Sequence, residues 1–224
     1  DKELYSKWSE ELSLTTLQFS KNVLAATNAY VLNITDEADL AGLPESSIEA
    51  AALAAKQKGK EGQYLITLQA PSYMPFMKYS SRRDLRQKLH NAYGRKNTSG
   101  EFDNTKIMAR IAEIRLQIAN LLGYKTHAEY SLGKTMAENP ENVYKLLNQL
   151  RDAYLPAWKK EYKELSKFAN KYEGKKIDLQ AWDYAYYANK LKDEKYSYND
   201  EELRPYFELN NVIKGVFGLA TKLY

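Results

Sequence analysis

Residues Asp103–Tyr124 read DNTKIMARIAEIRLQIANLLGY. Ile107, Ile111, Ile114, Ile118 and Leu121 recur at spacings of four and three, which places them on one face of an α-helix. Asp103 offers a capping oxygen ahead of the first turn, and Gly123 stands where the helix must stop. Such a stripe needs neighbours to cover it, and the flanking sequence supplies mostly further helices.

Upstream, Leu4, Trp8, Leu12, Phe19 and Ala26 hold one face of a helix over about Lys2–Ala29. YVLNIT (Tyr30–Thr35) and YLITLQ (Tyr64–Gln69) read as short strands, rich in β-branched and aromatic types. Between them, GLPESSIEAAALAAKQKGKEG predicts a helix that Pro44 opens, with Ser46 and Glu49 at capping-box spacing and Gly59 and Gly62 at its end. Two isolated strands are marginal alone, so a small ribbon attached to a helical body is expected. SSRRDLRQKLHNAY is helical from Ser81, and its basic stretch, interrupted by Asp84, reads as a solvated face.

Downstream, Thr126 and Glu129 form another capping-box pair. Asn139–Pro140 starts a long helix that ends at Gly174, with a kink expected at Pro156. LQAWDYAYYANK (Leu179–Lys190) predicts one more helix. DEELRPYF then reads as a turn whose Glu201–Glu202 pair suits a helix start, and a terminal helix begins near Glu208. The fold class is all-α with a possible two-stranded β ribbon. Residues 1–224 form one helical segment with a candidate sub-boundary near residues 70–80.

The rings of LQAWDYAYYANK demand a reason. On a continuous helix, Trp182, Tyr186 and Asn189 share one face, while Tyr184, Tyr187 and Leu191 share the opposite one. An ordinary surface helix has one apolar stripe and one wet face. Here the helix is either packed between two layers or packed on one side with the other lining a cleft. Tyrosine suits a cleft, because its ring buries area while its hydroxyl meets water or a polar ligand. Trp182, Tyr184, Tyr186 and Tyr187 are the candidate residues for such a wall.

Composition narrows the chemistry. The 224 residues suffice for a core without staples, and there is no Cys. The net charge of +4 comes from 33 basic and 29 acidic residues. These alternate, as in KDEK and KKEYKE, whereas a nucleic-acid binder shows a one-signed stripe. No apolar run reaches membrane-span length. The two histidines, His90 and His127, lie far apart, so no helix presents paired imidazoles; both read as surface residues. With Cys absent too, the usual zinc ligand sets cannot be assembled from this segment. No G-x-S-x-G elbow, phosphate loop or dinucleotide glycine pattern is present. The residues thus describe a helical segment without a catalytic or metal centre of its own. Position 1 already lies in a helical pattern, and VFGLATKLY stops while an apolar stripe is running. The expectation is a piece of a longer chain with an apolar surface left open on the terminal helix, at Val212, Val216, Leu219 and Leu223.

Several blocks carry a likeness in order and spacing: DLAGLPESSIEAAALAAKQKG, ITLQAPSYMPFMKY, DNTKIMARIAEIRLQIANLLGY, YSLGKTMAENPENV and the long run from WDYAYYANK to the last residue. Together they resemble the thimet-oligopeptidase family of zinc metallopeptidases. YFELNNV points to the bacterial peptidyl-dipeptidase branch. The resemblance implies a helical, prolate, two-lobed molecule with a deep channel and a zinc held by an H-E-x-x-H helix and a downstream Glu. That motif is absent here and in the family lies further downstream, so no catalytic or metal residue carries over. The implied role is a channel-wall scaffold of a zinc-dependent peptidyl-dipeptidase, inactive in isolation, with a broader endo-oligopeptidase as the alternative. Implied partners are short peptides and the remaining catalytic lobe, without nucleic acid or membrane, in the cytoplasm or alternatively the periplasm. Within this frame, Trp182 and Tyr186 would pack inward and Tyr184 and Tyr187 would face the channel or the other lobe, with the reverse assignment as the alternative. The competing class is a free-standing, non-enzymatic helical module that binds peptides or proteins.

Overall fold

The computed structural model describes residues 1–197 and 200–223, together with the backbone but not the side chains of Asp200, Glu201 and Arg204. The Glu201 half of the expected acidic pair therefore lies outside the described residues. In chain order the elements are α1 (Lys2–Ala29), β1 (Val31–Ile34), α2 (Glu45–Gln57), β2 (Tyr64–Thr67), α3 (Ala70–Tyr79), α4 (Arg83–Arg95) and α5 (Thr105–Leu121). There follow α6 (His127–Leu132), α7 (Pro140–Glu173), α8 (Tyr184–Tyr196), α9 (Asp200–Leu203) and α10 (Leu209–Leu223). Short 3-10 turns occupy Glu37–Leu40 and Arg204–Phe207. The protein is mainly α-helical.

The strands pair antiparallel, with Leu32 opposite Ile66 and Ile34 opposite Tyr64. The ribbon gains stability by packing on helices, as two strands require. Alanine makes this possible: Ala51 and Ala55 of α2 are buried and bring that helix close to β2. Around the ribbon, Leu32, Ile34, Leu40, Leu43, Ile66, Leu68, Phe76, Met77 and Leu89 form one core. Gly42 closes the corner at φ +89°, and a Cβ there would overlap the Tyr79 carbonyl.

Residues 70–79, read as a possible sub-boundary, form α3 and contribute Phe76 and Met77 to this core. Pro71 sits in the first turn, where its missing N–H costs nothing, and Pro75 only one turn further in. The Ser46–Glu49 capping box is not formed: α2 begins at Glu45 with Pro44 at the cap position and no side-chain cap. Proline's fixed φ starts the helix there instead.

The Ile stripe of α5 faces inward, with Ile114 and Ile118 buried, and packs along α1. Polar contacts fix the register of this pair. Arg110 grips both carboxylate oxygens of Glu11 at 2.7 and 2.9 Å. Buried Asn104 donates to the Phe19 carbonyl at 3.1 Å and accepts from Asn22 at 2.9 Å. Asn97, held at φ +67°, donates to the carbonyls of Asn22 and Phe102. Asn104, not Asp103, takes the N-cap position of α5, while Asp103 one residue earlier accepts from the Thr105 N–H at 2.8 Å. Thr126 caps α6 through the Glu129 N–H, and Glu129 reaches back to the Lys125 N–H.

Asn139 caps α7 by accepting from the Asn142 N–H, and Gly174 ends it in the left-handed region. α7 runs through Pro156 as one element. Its last third packs on α8 in a second core of Leu165, Phe168, Ala169, Tyr186 and Tyr187.

Replacing fully buried Leu89 by Ala should cost about 2–5 kcal/mol by lost transfer energy and a residual cavity. Leu14→Ala, at a side chain 61% exposed, should stay within about 0.5 kcal/mol. Urea denaturation of both variants checks the contrast.

Candidate functional site

The aromatic segment divides differently from a continuous helix. α8 begins only at Tyr184, with Asp183 at its N-cap position, so Trp182 lies in the preceding turn. That displaces Trp182 from the wheel shared with Tyr186. It packs instead against the ribbon-side core, edge-on to His90 at 5.8 Å between ring centroids. The expected inward–outward split is corrected too. Tyr186 and Tyr187 are both buried, 5% and 1% exposed, and meet each other edge to face at 5.0 Å. Tyr184 is 46% exposed. Adjacent positions on a helix are only about 100° apart. Two neighbouring rings can therefore enter one core when the covering surface is wide, and Tyr172 of α7 supplies that width by touching both.

Asp183 explains why the turn and helix sit where they do. The residue is completely buried, yet it is ionised and saturated with donors. Arg83 donates to it from Nε to Oδ1 at 3.0 Å and from Nη2 to Oδ2 at 2.7 Å. Arg86 donates from Nη2 to Oδ1 at 3.1 Å, and the Gln180 N–H donates to Oδ2 at 3.0 Å. Arg86 is itself only 1% exposed. Its remaining donors reach the Ser80 carbonyl at 2.6 Å and the Trp182 carbonyl at 3.2 Å. Its guanidinium lies 4.1 Å from the centre of the Tyr186 ring, a cation–π contact strengthened by the absence of water. Most of the SSRRDLRQK stretch is solvated, as read, with Arg86 the exception: it turns inward to a buried carboxylate, and the partly exposed Arg83 reaches the same group. Sequence could flag these groups only as ordinary surface charges, since their partner lies 100 positions away.

Burial alone would raise the Asp183 carboxyl, but the hydrogen bonds from Arg83, Gln180 and Arg86 outweigh it and hold it below the usual carboxylate range. The phenols of Tyr186 and Tyr187 are pushed well above their usual range, first by burial, then by Tyr172 and Glu173 respectively. The Tyr187 hydroxyl donates to Glu173 at 2.8 Å. These groups are locked as structural partners rather than poised for proton transfer.

Beside the cluster, α3 and α8 border an open cleft of about 640 Å³. Met74 and Met77 form one wall and Ala185 and Ala188 the other, with His90, Lys78 and Lys192 among the polar groups present. Neither histidine is the simple surface residue expected. Both are half-buried, and the Nδ1 atoms of His90 and His127 have no hydrogen-bond partner among the described residues. Burial, followed by the charge of Arg115, lowers the pKa of His127. Among the described residues no three His, Cys, Asp or Glu side chains converge to hold a metal ion. The described residues in hand do not fit a zinc site. On the terminal helix, Val212, Val216, Leu219 and Leu223 are exposed, as expected of an open apolar surface.

Asp183→Asn should cost about 3–5 kcal/mol near neutral pH, because Arg86 would keep a buried charge without its counter-ion. The folded-state pKa of Asp183 is depressed. Its contribution is therefore fully present above the unfolded value of about 3.9 and is lost as pH falls through the folded value. Urea unfolding as a function of pH should show the gap between wild type and Asp183→Asn narrowing below about pH 4.

Comparison with known proteins gives this helical assembly a relationship. The model of "Peptidase family M3" matches residues 76–224. Oligopeptidase A of Haemophilus influenzae is 41% identical over 98% of this chain. Oligopeptidase A of Escherichia coli is likewise 41% identical over 98% of it. Dipeptidyl carboxypeptidase of Escherichia coli is 33% identical over all of it. In each case the chain spans about a third of the relative's length, 33%. With the family model covering well over half of its residues, the chain belongs to peptidase family M3.

Proposed function

We propose that this chain is a non-catalytic wall and scaffold segment of a zinc-dependent oligopeptidase that acts on short, unfolded peptides. The observation that carries the proposal is similarity along nearly the whole chain to one third of oligopeptidase A. The lack of a metal-holding group among the described residues fits a division of labour in which the zinc and the H-E-x-x-H helix belong to the remaining polypeptide. Residues 1–224 act as one helical segment in this scheme. Tyr184, half-exposed on α8, is the candidate that remains available to meet peptide directly. Trp182, Tyr186 and Tyr187 support the wall from behind.

Two cleavage modes are consistent with the family. The branch-level resemblance suggested release of C-terminal dipeptides, and the 33% identity to dipeptidyl carboxypeptidase supports it. The 41% identity to oligopeptidase A favours internal cleavage, which we take as the first reading. No helix among the described residues is long and apolar enough to cross a membrane. A cytoplasmic location is supported by the 39% identity to a probable cytosolic oligopeptidase A of Arabidopsis thaliana, where an organellar relative is equally similar.

The test compares the 224-residue chain with the longer polypeptide carrying an H-E-x-x-H motif. The longer protein should cleave internally quenched short peptides, including C-terminally amidated ones, and lose activity to a chelator; the chain alone should cleave none. Dipeptides released only from free C-termini would transfer the proposal to the dipeptidyl mode. Chelator-resistant hydrolysis by the chain alone would overturn the scaffold role. In the longer protein, Tyr184→Ala should raise KM several-fold with kcat and Tm little changed, the signature of lost ground-state contact.

A further inference from the structure

α7 is one continuous helix, its first turn lies beside α6, and its buried residues all fall in its last third. Leu165 and Ala169 are buried against α8. At about 100° per residue, Tyr144, Leu147, Tyr154 and Trp158 fall on that same side of the helix. All four are exposed, at 66%, 51%, 66% and 50%. Leu146 and Leu150, also exposed, flank the stripe and widen the apolar arc to roughly half the circumference. The line of an interface already established at one end of the helix therefore runs on, through exposed residues, over four more turns.

We infer that residues 144–158 of α7 are an internal docking face that the remaining polypeptide of the parent peptidase covers on more than one side. This rests on the reading given under Proposed function. Three observations select that occupant. The bare stripe runs in line with the α7–α8 core, with Arg151 and Glu161 as exposed charges on the same side. The chain spans only a third of its relatives' length, so in a parent of that length most of the apolar helical surface would lie elsewhere. The arc is too wide for one facing helix, which a single ridge-and-groove contact covers along a narrower stripe. α10 does not fill the role, because Leu209, Val216, Phe217 and Leu223 are themselves exposed. In the assembled enzyme this part of α7 is thus a central helix.

The test introduces Leu147→Glu and Tyr154→Glu into both the 224-residue chain and the longer polypeptide, with Leu147→Ala as a milder companion. In the longer protein each Glu variant should lower Tm by about 5 °C or more, and Leu147→Ala by less. In the chain alone, Tm should move by about 1 °C at most, and sedimentation should show a monomer. Equal, small shifts in both proteins would show the face to be solvent-exposed and overturn the inference. A concentration-dependent dimer of the chain that Leu147→Glu dissolves would assign the face to a second copy. Destabilisation of a monomeric chain would assign it to α10. Peptide hydrolysis by the unmutated longer protein is measured in the same preparations. Its absence would sink the peptidase reading, while the Tm comparison would still decide the docking face.

Discussion

The buried charge of Asp183 is the constraint on which this arrangement of helices turns. Among the described residues, one apolar cluster lies around the β1–β2 ribbon and another between α7 and α8, and they share no member. Arg83 and Arg86 span the gap from the first turns of α4, reaching the Asp183 carboxylate and the carbonyls of Asp178, Trp182 and Ser80. A buried ion pair is weak evidence for net stability, because desolvating both charges offsets their attraction. Its value here is positional. Each guanidinium nitrogen of Arg86 has a partner, on Trp182, Ser80 and Asp183, which ties α4, the end of α3 and the start of α8 together.

That positional role shapes the aromatic segment. Asp183 holds the turn before α8, which puts Tyr186 over the Arg86 guanidinium and sends Tyr187 to Glu173. Ring burial and hydroxyl satisfaction occur together, as buried tyrosines require. The surface left over is the α3–α8 cleft and the Tyr184 ring. The proposed wall role would call for both properties: a rigid backing and an apolar face that accepts chains of varied sequence. The methionines of α3 suit the second, since their unbranched side chains adapt to irregular partners.

Much of the local structure was legible in the sequence because its causes are local. The isoleucine spacing of α5, the Asn139–Pro140 start of α7 and the glycine at its end each act within a turn or two. The terminal helix and the ribbon were legible for the same reason. α3 was not read as a separate element: it is short and carries two prolines, Pro71 in its first turn and Pro75 inside it. The site was less legible. The faces of the Trp182–Tyr187 stretch depend on where α8 begins, and that depends on an aspartate whose arginines are remote in sequence. No periodicity encodes that pairing. The family relation was legible from ordered blocks, whereas the cleavage mode was not, because residues that choose between modes need not lie in a supporting wall.

The claim that Asp183 fuses the two clusters into one unit is tested most directly by native-state hydrogen exchange. Amides of α4 around Leu89 and of α8 around Tyr187 should report the same opening free energy and the same dependence on added denaturant, as members of a single cooperative unit do. An α8 that opens several kcal/mol more easily than α4 would show two independent clusters and contradict the account.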